Sequence, residues 1–489
     1  MIQIEKEQAM ADKEKKLVEA ITARDEDFAQ WYTDVVIKAG LVSYSNIKGF
    51  IILKPAGYAL WENIQKHMDA RFKATGVENV YLPLLIPESL LQKEKDHVEG
   101  FAPEVAWVTM GGGEELTERY CVRPTSETLF CDFYKNEIHS YKDLPMVYNQ
   151  WCSVVRWEKE TRPFLRSREF LWQEGHTMHA TREDAEARTQ QMLDVYASFM
   201  EEDLAIPVIK GRKTDKEKFA GAEATYTVEA MMHDGRALQS GTSHHFGDGF
   251  ARAFDITFTG QDNKPHYPFQ TSWGVSTRMI GAMIMVHGDD SGLVIPPRIA
   301  PVQAVVIPIQ QKKEGVLQAA DRLCIELKNA GILARLDDSD KSPGFKFAEH
   351  EMRGVPLRLE IGPRDLEAGK CLFARRDTGE KIECAIAEAP ARAKELLEEI
   401  QKNLLALARR NLVEHTYAAA DWETFCGIFN GKGGFVKSMW CGDVACEEKI
   451  KEELSVTSRC MPFEQEHIAD TCVCCGRPAR KMVVWGRSY

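Results

Sequence analysis

Apolar residues recur at three- and four-residue spacing in the first part of the chain, a pattern typical of amphipathic helices. It predicts one helix from the N-terminus to about Gly40 and a second over residues 59–75. Residues 80–87, VYLPLLIP, form a short apolar run that predicts a buried strand interrupted by Pro83. The chain therefore begins with helices and then enters a sheet.

Between residues 119 and 285 short strand-like stretches follow one another, and few helices separate them. The segment 180–204 predicts a long amphipathic helix, and 279–288 a buried one. Strands are predicted over the following segments: 148–158, 167–175, 237–247, 251–260 and 268–276. Strands in this order, without a strand–helix alternation, favour an antiparallel sheet with helices, and hence an α+β fold.

The proline-rich segment IPPRIAP, residues 295–301, marks a domain boundary. After it, strand and helix patterns alternate for about 100 residues, which predicts a compact α/β domain of the βαβαβ type. A helix near residues 390–412 leads to a cysteine-rich segment. We expect three domains, over residues 1–295, 296–400 and 401–489.

Composition and charge exclude several classes of protein. Hydrophobic residues make up 44% of the 489 residues and charged residues 28%, as in ordinary globular proteins. The net charge of −12 argues against coating nucleic acid by bulk charge, although it permits local basic patches. No apolar run reaches the roughly 18 residues of a membrane span, and the N-terminus carries charge where a signal peptide is apolar. We therefore expect a cytoplasmic protein without a membrane partner.

The cysteines point to a metal site near the C-terminus. There are 13 of them, and an odd number in a reducing compartment favours metal binding or burial over disulfides. Cys441 and Cys446 are separated by four residues, and Cys472 and Cys475 by two. Four thiolates in two close pairs suit a closed, structural zinc site. Cys474 could replace Cys472 or Cys475, and four unligated thiols are the alternative.

Three arginine-bearing strings stand in order along the central region: RWE at 156–158, RSREF at 166–170 and GVSTRMIG at 274–281. Arginine is a fixed cation that forks onto phosphate oxygens. On one strand Glu158 would face the same side as Arg156, so the pair could hold a phosphate and a purine amino group. A surface salt bridge is the alternative for each string alone. No GxxxxGK[ST] loop is present, so a nucleotide would lie on an antiparallel sheet.

Taken together and in order, these strings resemble the signature motifs of class II aminoacyl-tRNA synthetases. Gly76 with the following VENVYLP resembles motif 1, RWE through SREF motif 2, and GVSTRMIGA motif 3. Further strings are similar to prolyl-tRNA synthetases of the archaeal/eukaryotic-like type, from about residue 25 to Tyr489. They are RPTSET (123–128), FLWQEGHTMHAT (170–181), QSGTSHHFG (239–247), residues 271–301 and the terminal GRSY (486–489).

The resemblance implies that proline and ATP form prolyl-adenylate and that proline is then transferred to tRNA(Pro). It implies catalytic roles for Arg156 and Arg278. It implies a proline pocket built from Thr125, Glu127, Arg156, Trp172, His176, Phe219 and His244. It implies ATP contacts from Arg156, Glu158, Arg166, Ser167, Phe170, Gln239, Thr242, Ser276 and Arg278. ATP is expected with Mg²⁺, near Gln239 and Thr242, and a structural Zn²⁺ on the C-terminal cysteines.

The resemblance also implies partners. Motif 1 implies a homodimer, and the 296–400 domain implies an anticodon reader. Glu351, Arg353 and Arg358 could read base edges there, although each could equally be an ordinary surface charge. Only about a hundred residues separate Phe170 from Gly274. That leaves no room for the editing insertion of bacterial-type prolyl enzymes, so a separate protein would clear mischarged alanine.

Three alternatives remain open from the sequence. A class II synthetase for threonine or glycine would share the motifs. A catalytically silent paralogue that binds RNA would not need the Arg156, Glu158 and Arg278 set. Cys152 with His176 and His179 could hold a catalytic zinc, although apolar-flanked histidines more often pack or form hydrogen bonds.

Overall fold

A computed structural model describes residues 21–93 and 105–489. The N-terminal part of the first predicted helix lies outside these residues. Its described part is helix α1, Phe28–Lys38, whose N-terminus is capped by the Asp27 carboxylate. The second predicted helix is confirmed as α2, Pro55–Ala74, which begins with a proline in its first turn and buries the apolar face.

In the described residues the helices after α2 are α3 (Glu88–Leu91), α4 (Glu127–Glu137), α5 (Arg182–Glu202), α6 (Gly249–Ala253), α7 (Arg278–His287), α8 (Val316–Asn329), α9 (Pro343–Met352), α10 (Pro363–Glu367), α11 (Ala389–Glu414), α12 (Trp422–Asn430) and α13 (Val444–Leu454). Short 3₁₀ turns lie at Tyr141–Asp143 and Ile386–Glu388. The long helix over 180–204 and the buried helix over 279–288 are therefore confirmed, as α5 and α7.

The strands of the N-terminal and central regions are β1 (Val42–Tyr44), β2 (Ile51–Leu53), β3 (Glu78–Asn79), β4 (Leu85–Pro87), β5 (Ala106–Gly111), β6 (Glu114–Val122), β7 (Met146–Val155), β8 (Glu169–His179), β9 (Val208–Arg212), β10 (Ala224–Met231), β11 (Ala237–Gly247), β12 (Phe258–Thr259), β13 (Pro265–His266) and β14 (Phe269–Ser276). The single strand predicted over 80–87 is wrong, since only β4 forms there. The strand predicted over 251–260 is also wrong in its first half, which begins in α6.

The strands beyond residue 300 are β15 (Ala304–Pro308), β16 (Ala334–Leu336), β17 (Leu357–Ile361), β18 (Lys370–Arg375), β19 (Lys381–Ala385), β20 (Thr416–Ala418), β21 (Phe435–Trp440), β22 (Thr457–Pro462) and β23 (Lys481–Gly486). β15, β16 and β17 are parallel, and β18 and β19 join them antiparallel in the order β16-β15-β17-β18-β19. This unit confirms the predicted α/β pattern, with α8 and α11 packed on the sheet.

The central sheet confirms the α+β prediction. Strands β9, β10, β11, β14, β8 and β7 pair antiparallel in that order. Helices α1, α2, α5 and α7 bury their apolar sides against it, around side chains that include Trp31, Phe72, Tyr196 and Trp273. These four helices share one apolar cluster with the sheet, and α4 and α6 pack on the sheet in a second cluster around Phe130 and Phe246.

The C-terminal strands extend the central sheet. β22 pairs with β9 through Met461↔Arg212 and Pro462↔Gly211, so the largest sheet of the described residues runs through eleven strands. The cysteine-rich segment keeps its own apolar cluster around Phe425 and Trp485. Among the described residues, no helix combines the length and the apolar character that crossing a membrane requires.

Candidate functional site

A cavity on the central sheet brings most of the predicted site residues together. The residues that line it come from the start of α4 and the loop before it, from the segments that follow β7 and β9, from β8, β10, β11 and β14, and from the start of α7. Eleven predicted residues line it: Thr125, Glu127, Arg156, Phe170, Trp172, Phe219, Gln239, Thr242, His244, Ser276 and Arg278. The sheet register therefore joins residues that lie up to 153 positions apart in the chain, from 125 to 278.

One end of the cavity carries a buried carboxylate. Thr125 Oγ1 donates to Glu127 Oε2 over 2.5 Å, and both side chains are buried. The loop that carries them is anchored by Arg123, whose guanidinium donates to the backbone oxygens of Leu82 and Ser153. A fixed carboxylate in a buried setting is suited to a cationic nitrogen.

Glu174 on β8 supports the same end, and the sequence reasoning missed it. Its Oε1 accepts from the Ser126 hydroxyl (2.5 Å) and the Gln150 amide (2.6 Å), and it lines the cavity. Trp172, Glu174 and His176 alternate along β8 and so share a face. That period-2 pattern was the available signal, because two of its three members were already candidates.

His176, which is predicted as a wall of the proline pocket, is not among the residues that line the cavity. The ring is fully buried, lies 3.2 Å from Glu174 Oε2 and stacks on Phe130 at 4.3 Å between centroids. The physical reason is the advance along the strand, since each two-residue step carries a side chain almost 7 Å further. Through its contact with Glu174, His176 supports a residue that lines the cavity.

A neutral histidine forms another wall. The His244 ring lies 4.7 Å from the Phe219 ring, and its Nδ1 is 3.0 Å from Thr225 Oγ1. Burial lowers the pKa of His244 to about 4, with a smaller opposing effect of Glu127. At pH 7 the ring is therefore uncharged, and it offers shape and hydrogen bonding without adding a cation.

The other end of the cavity carries two arginines. Arg156 follows β7, its Nε donates to Pro124 O, and its guanidinium lies 5.6 Å from the Phe170 ring and 5.3 Å from Trp172. Burial, and then the charges of Arg166 and Arg156, lower the pKa of Arg278 to about 10. Arg278 is still a cation at pH 7, so mutually repelling positive charges converge on the cavity, and an anion bound there would relieve this repulsion.

The remaining predicted ATP residues lie outside the lining of this cavity. β7 ends at Val155, so strand alternation does not place Glu158 beside Arg156, and the prediction of a shared strand face is wrong. Glu158 instead lies 3.6 Å from Arg166, which lines a neighbouring cavity together with Arg278 and Tyr489. The buried Ser167 hydroxyl donates to Glu169 O at 2.8 Å.

Four thiols near the C-terminus have the spacing of a tetrahedral metal site. The sulfurs of Cys441, Cys446, Cys472 and Cys475 all lie within 4.8 Å of one another, and three of the separations are 3.7, 3.7 and 4.0 Å. A tetrahedron with Zn–S bonds of about 2.3 Å has edges of about 3.8 Å. The geometry thus selects Cys472 and Cys475 over Cys474, and these residues fit zinc.

The charge around the cluster supports the same conclusion. Arg477 donates to Cys475 Sγ at 3.3 Å and lowers the pKa of that thiol to about 6. Burial raises the pKa of Cys441 and Cys446. Those thiols keep their protons unless a cation binds, so a metal ion is what would convert the whole set to thiolates.

The alternative catalytic zinc has no geometry to support it. Among residues 21–93 and 105–489, Cys152, His176 and His179 do not form a group that could hold a metal ion. Cys152 Sγ accepts from the Trp172 indole, and burial raises the pKa of the thiol. His179 hydrogen-bonds to Thr177.

Each charged side chain that is predicted to read the anticodon has a partner of opposite charge. Arg358 donates to Glu351 at 2.7 Å and to Glu360 at 3.0 Å, and its guanidinium lies 4.0 Å from the Phe347 ring. Arg353 pairs with Glu349 in the same helix turn. Glu351 and Arg358 border one cavity, whereas Arg353 does not.

Comparison with known proteins gives a consistent result over the chain. A family described as the class II tRNA synthetase core domain (G, H, P, S and T) matches residues 107–287. An anticodon-binding domain matches residues 303–396, and the C-terminal domain of prolyl-tRNA synthetase matches residues 422–489. Each region with a candidate site is thus matched separately.

Full-length relatives decide the family. A proline–tRNA ligase of Lachnospira eligens is 68% identical over 97% of this chain and 99% of its own length. The chain belongs to the prolyl-tRNA synthetase family. A proline–tRNA ligase of Agathobacter rectalis is 64% identical over 98% of this chain, and proline–tRNA ligase 2 of Bacillus cereus 61% over 97%, each over its full length. These relatives are bacterial, so the archaeal/eukaryotic-like type stays a prediction.

Proposed function

We propose that this chain activates L-proline with ATP, forming prolyl-adenylate and pyrophosphate, and then transfers proline to the 3′ end of tRNA(Pro). One observation carries the proposal. A single cavity has a buried carboxylate, Glu127, at one end and two arginines, Arg156 and Arg278, at the other. This is the polarity that an amino acid beside a nucleotide requires, since proline presents a cationic nitrogen and ATP presents phosphates.

The carboxylate end is assigned to proline. Glu127, held by Thr125, accepts the charged imino nitrogen. Phe219, Trp172 and the neutral His244 enclose the pyrrolidine ring with apolar surface. His176 acts behind this wall, by fixing Glu174. The resulting pocket is closed by aromatic rings on several sides, which suits a compact ring better than an extended side chain.

The arginine end is assigned to the phosphates. Activation brings the proline carboxylate to the α-phosphate, and these two anions repel. Arg156 neutralises both anions and stabilises the charge that develops as pyrophosphate leaves, while Arg278 holds the γ-phosphate. No general base is required, because the attacking carboxylate is already ionised near pH 7.

The other contacts to ATP follow from position. Phe170 offers a ring for stacking on adenine, and Ser276 lies beside Arg278. Gln239 and Thr242 offer neutral oxygens of the kind that Mg²⁺ prefers, and the ion would offset phosphate charge. Glu158, Arg166 and Ser167 remain predicted contacts of the loop between β7 and β8.

The proposal is tested by ATP–pyrophosphate exchange of the purified protein with each of the twenty amino acids. We expect exchange that depends on proline. Exchange with threonine or glycine would keep the fold and overturn the pocket assignment. No exchange with any amino acid, from folded and zinc-loaded protein, would favour the silent RNA-binding paralogue.

Three further elements complete the proposal. Residues 296–400 bind the anticodon of tRNA(Pro) and 401–489 form a structural zinc domain, next to a catalytic domain over 1–295.

The protein forms a homodimer through the motif 1 region, where large apolar side chains are exposed, including Tyr81 at 72% and Leu84 at 44%. It works in the cytoplasm, where charged tRNA is consumed. Sedimentation that gives a monomer at micromolar concentration would contradict the dimer.

We also infer the archaeal/eukaryotic-like type without an editing domain of its own. Between Phe170 and Gly274 the chain is occupied by α5 and the strands of the central sheet. A proline pocket rejects the smaller alanine by only about 1–3 kcal/mol, so a separate protein must clear alanyl-tRNA(Pro). Hydrolysis of alanyl-tRNA(Pro) by this chain alone would contradict the inference.

A further inference from the structure

A buried carboxylate beside the cavity is held by cations from two parts of the chain. Glu229 on β10 is fully buried. Its Oε2 accepts from Nε and Nη2 of Arg459 at 3.0 and 2.8 Å, and its Oε1 accepts from Lys213 Nζ at 2.8 Å. Both cations are themselves buried, so the group holds two positive charges and one negative charge away from water.

Arg459 reaches this group from β22, in the C-terminal region. It is 230 residues from Glu229 in the chain, and the pairing of β22 with β9 brings it there. Lys213 lies just beyond the end of β9 and bonds through its backbone to Thr225 of β10. The C-terminal region thus supplies one of the two cations that make this buried carboxylate tenable.

The carboxylate lies next to residues assigned to ATP. Thr227 and Glu229 share a face of β10, and their partners across the sheet are Thr242 and Gln239 of β11. The Thr227 hydroxyl donates to Glu229 Oε1 at 2.8 Å and lies 3.4 Å from Gly241 O. The group therefore fixes β10 to the part of β11 that carries both ATP contacts.

Glu229 also acts on the arginine end. Its negative charge opposes the effects of burial and of neighbouring cations that lower the pKa of Arg278. It is thus a counter-charge that lies in the sheet, away from the space that the phosphates would occupy.

We propose that Arg459 is a positioning residue, through which the C-terminal domain fixes Glu229 and thereby the ATP-binding edge of the central sheet. This rests on the proposed assignment of Gln239 and Thr242 to ATP. We expect the loss of Arg459 to impair the use of ATP and to change proline recognition much less. Glu127, which accepts the imino nitrogen, is on α4, whereas Gln239 and Thr242 are on β11 and pair with the part of β10 that carries Glu229. A role in holding the domains together would change stability alone.

The test compares Arg459→Met, the conservative Arg459→Lys and a control, Arg480→Met, at an exposed arginine of the same domain. Exchange kinetics give kcat and separate KM values for ATP and proline, and zinc content shows that the domain is intact. We expect Arg459→Met to lower kcat/KM for ATP by 10-fold or more, up to about 100-fold. KM for proline should change less than threefold, Arg459→Lys should recover part of the loss, and Arg480→Met should match the wild type.

Glu229→Gln gives a second, independent measurement. It leaves two buried cations without a carboxylate, whereas Arg459→Met leaves a balanced pair, so Glu229→Gln should lower the melting temperature more. The double variant should be more stable than Glu229→Gln alone. If Glu229→Gln fails to fold, rescue of folding in the double variant supports the same charge balance.

The outcomes separate this proposal from the assigned activity. Unchanged ATP kinetics in folded, zinc-loaded Arg459→Met would overturn the positioning role while the wild-type exchange with proline stands. If the wild type shows no proline-dependent exchange, the proposed function fails instead. The rise in melting temperature on adding ATP then decides the positioning role: an equal rise in the wild type and in Arg459→Met would overturn it, and a smaller rise in the variant would support it.

Discussion

The cavity on the central sheet and the four-thiol cluster organise their side chains in opposite ways. At the carboxylate end of the cavity the protein supplies both partners of the polar contacts, as where Ser126 and Gln150 hold Glu174. In the cluster the sulfurs face one another, and Arg477 is the cation placed against them. The cavity is therefore preformed without a ligand, whereas the cluster depends on an ion. Losses in the cavity should reduce activity more than stability, and losses in the cluster the reverse.

Arg156→Ala tests the expectation that losses in the cavity reduce activity more than stability, and it should have the largest effect. Removing a cation that acts in the transition state typically costs about 10²–10³ in rate, so proline-dependent exchange should fall by that factor. The melting temperature should stay within a few degrees of the wild type, because the rest of the cavity keeps its partners.

Arg252→Ala is the matched control for Arg156→Ala. Arg252 is exposed, pairs with Asp248 at 2.7 Å and lies outside the cavity. Its loss should leave exchange unchanged. Wild-type exchange in folded Arg156→Ala would refute the role of Arg156, and unfolding of that variant would refute the idea that the cavity is preformed.

Loss of a thiol tests the expectation that damage to the four-thiol cluster reduces stability more than activity. Cys475→Ser should lose the single bound zinc and lower the melting temperature, since binding energy at such sites is folding energy. Exchange should fall far less than in Arg156→Ala while the protein remains folded. Cys474→Ser is the control, because its sulfur lies outside the four-thiol group. Zinc measured by atomic absorption should be one per chain in this control, and two in the wild type would favour a threonyl-like site.

Local strings of the sequence predicted the cavity well. Arg156, Arg278 and the Thr125–Glu127 pair each lie within a short string that resembles a known motif, and the order of these strings was enough to group them. Glu174 lines the cavity and lies within the string FLWQEGHTMHAT, but it was missed because its contacts to Ser126 and Gln150 join segments that are distant in the chain. Its place between Trp172 and His176 on one strand was the only local sign.

The remaining features depend on which distant strands pair with one another, and hydrophobic periodicity does not encode this pairing. The union of β9 and β22 joins segments about 250 residues apart, and only this union buries Arg459 against Glu229. From the sequence alone, a charged residue in a strand is expected to be exposed unless the oppositely charged residue that it contacts is known. For the same reason the end of β7 at Val155, which displaces Glu158, could not be placed from alternation alone.

A variant in the α/β domain should have a smaller effect, on tRNA binding and not on proline activation. Arg358→Gln should raise KM for tRNA in aminoacylation by about tenfold, since a single base contact is worth about 1–3 kcal/mol, and should leave exchange unchanged. Arg353→Gln should have a weaker effect, because Arg353 lies outside the cavity that Arg358 borders. An unchanged KM for tRNA in Arg358→Gln would show that Arg358 does not read a base, and a loss of exchange would place the damage in the fold.

The smallest expected effect is on the pH dependence of stability, to which buried histidines and the thiols of the four-thiol cluster contribute separately. Burial lowers the pKa of His179, His244 and His287 to about 4. Between pH 6.5 and 4 the unfolded chain binds more protons at these rings than the folded chain, so the free energy of unfolding falls as the pH falls through that range. Each ring contributes a slope of up to about 1.4 kcal/mol per pH unit.

Acid also releases zinc by protonating thiolates, so a variant must isolate the histidine contribution. His287→Gln does so, because His287 lies outside both sites and its Nε2, 2.8 Å from Leu204 O, can be replaced by an amide donor. Urea unfolding at several pH values should give a shallower slope for His287→Gln than for the wild type. The zinc content of the two proteins should fall together. Identical slopes would show that His287 does not contribute to the acid sensitivity of the fold.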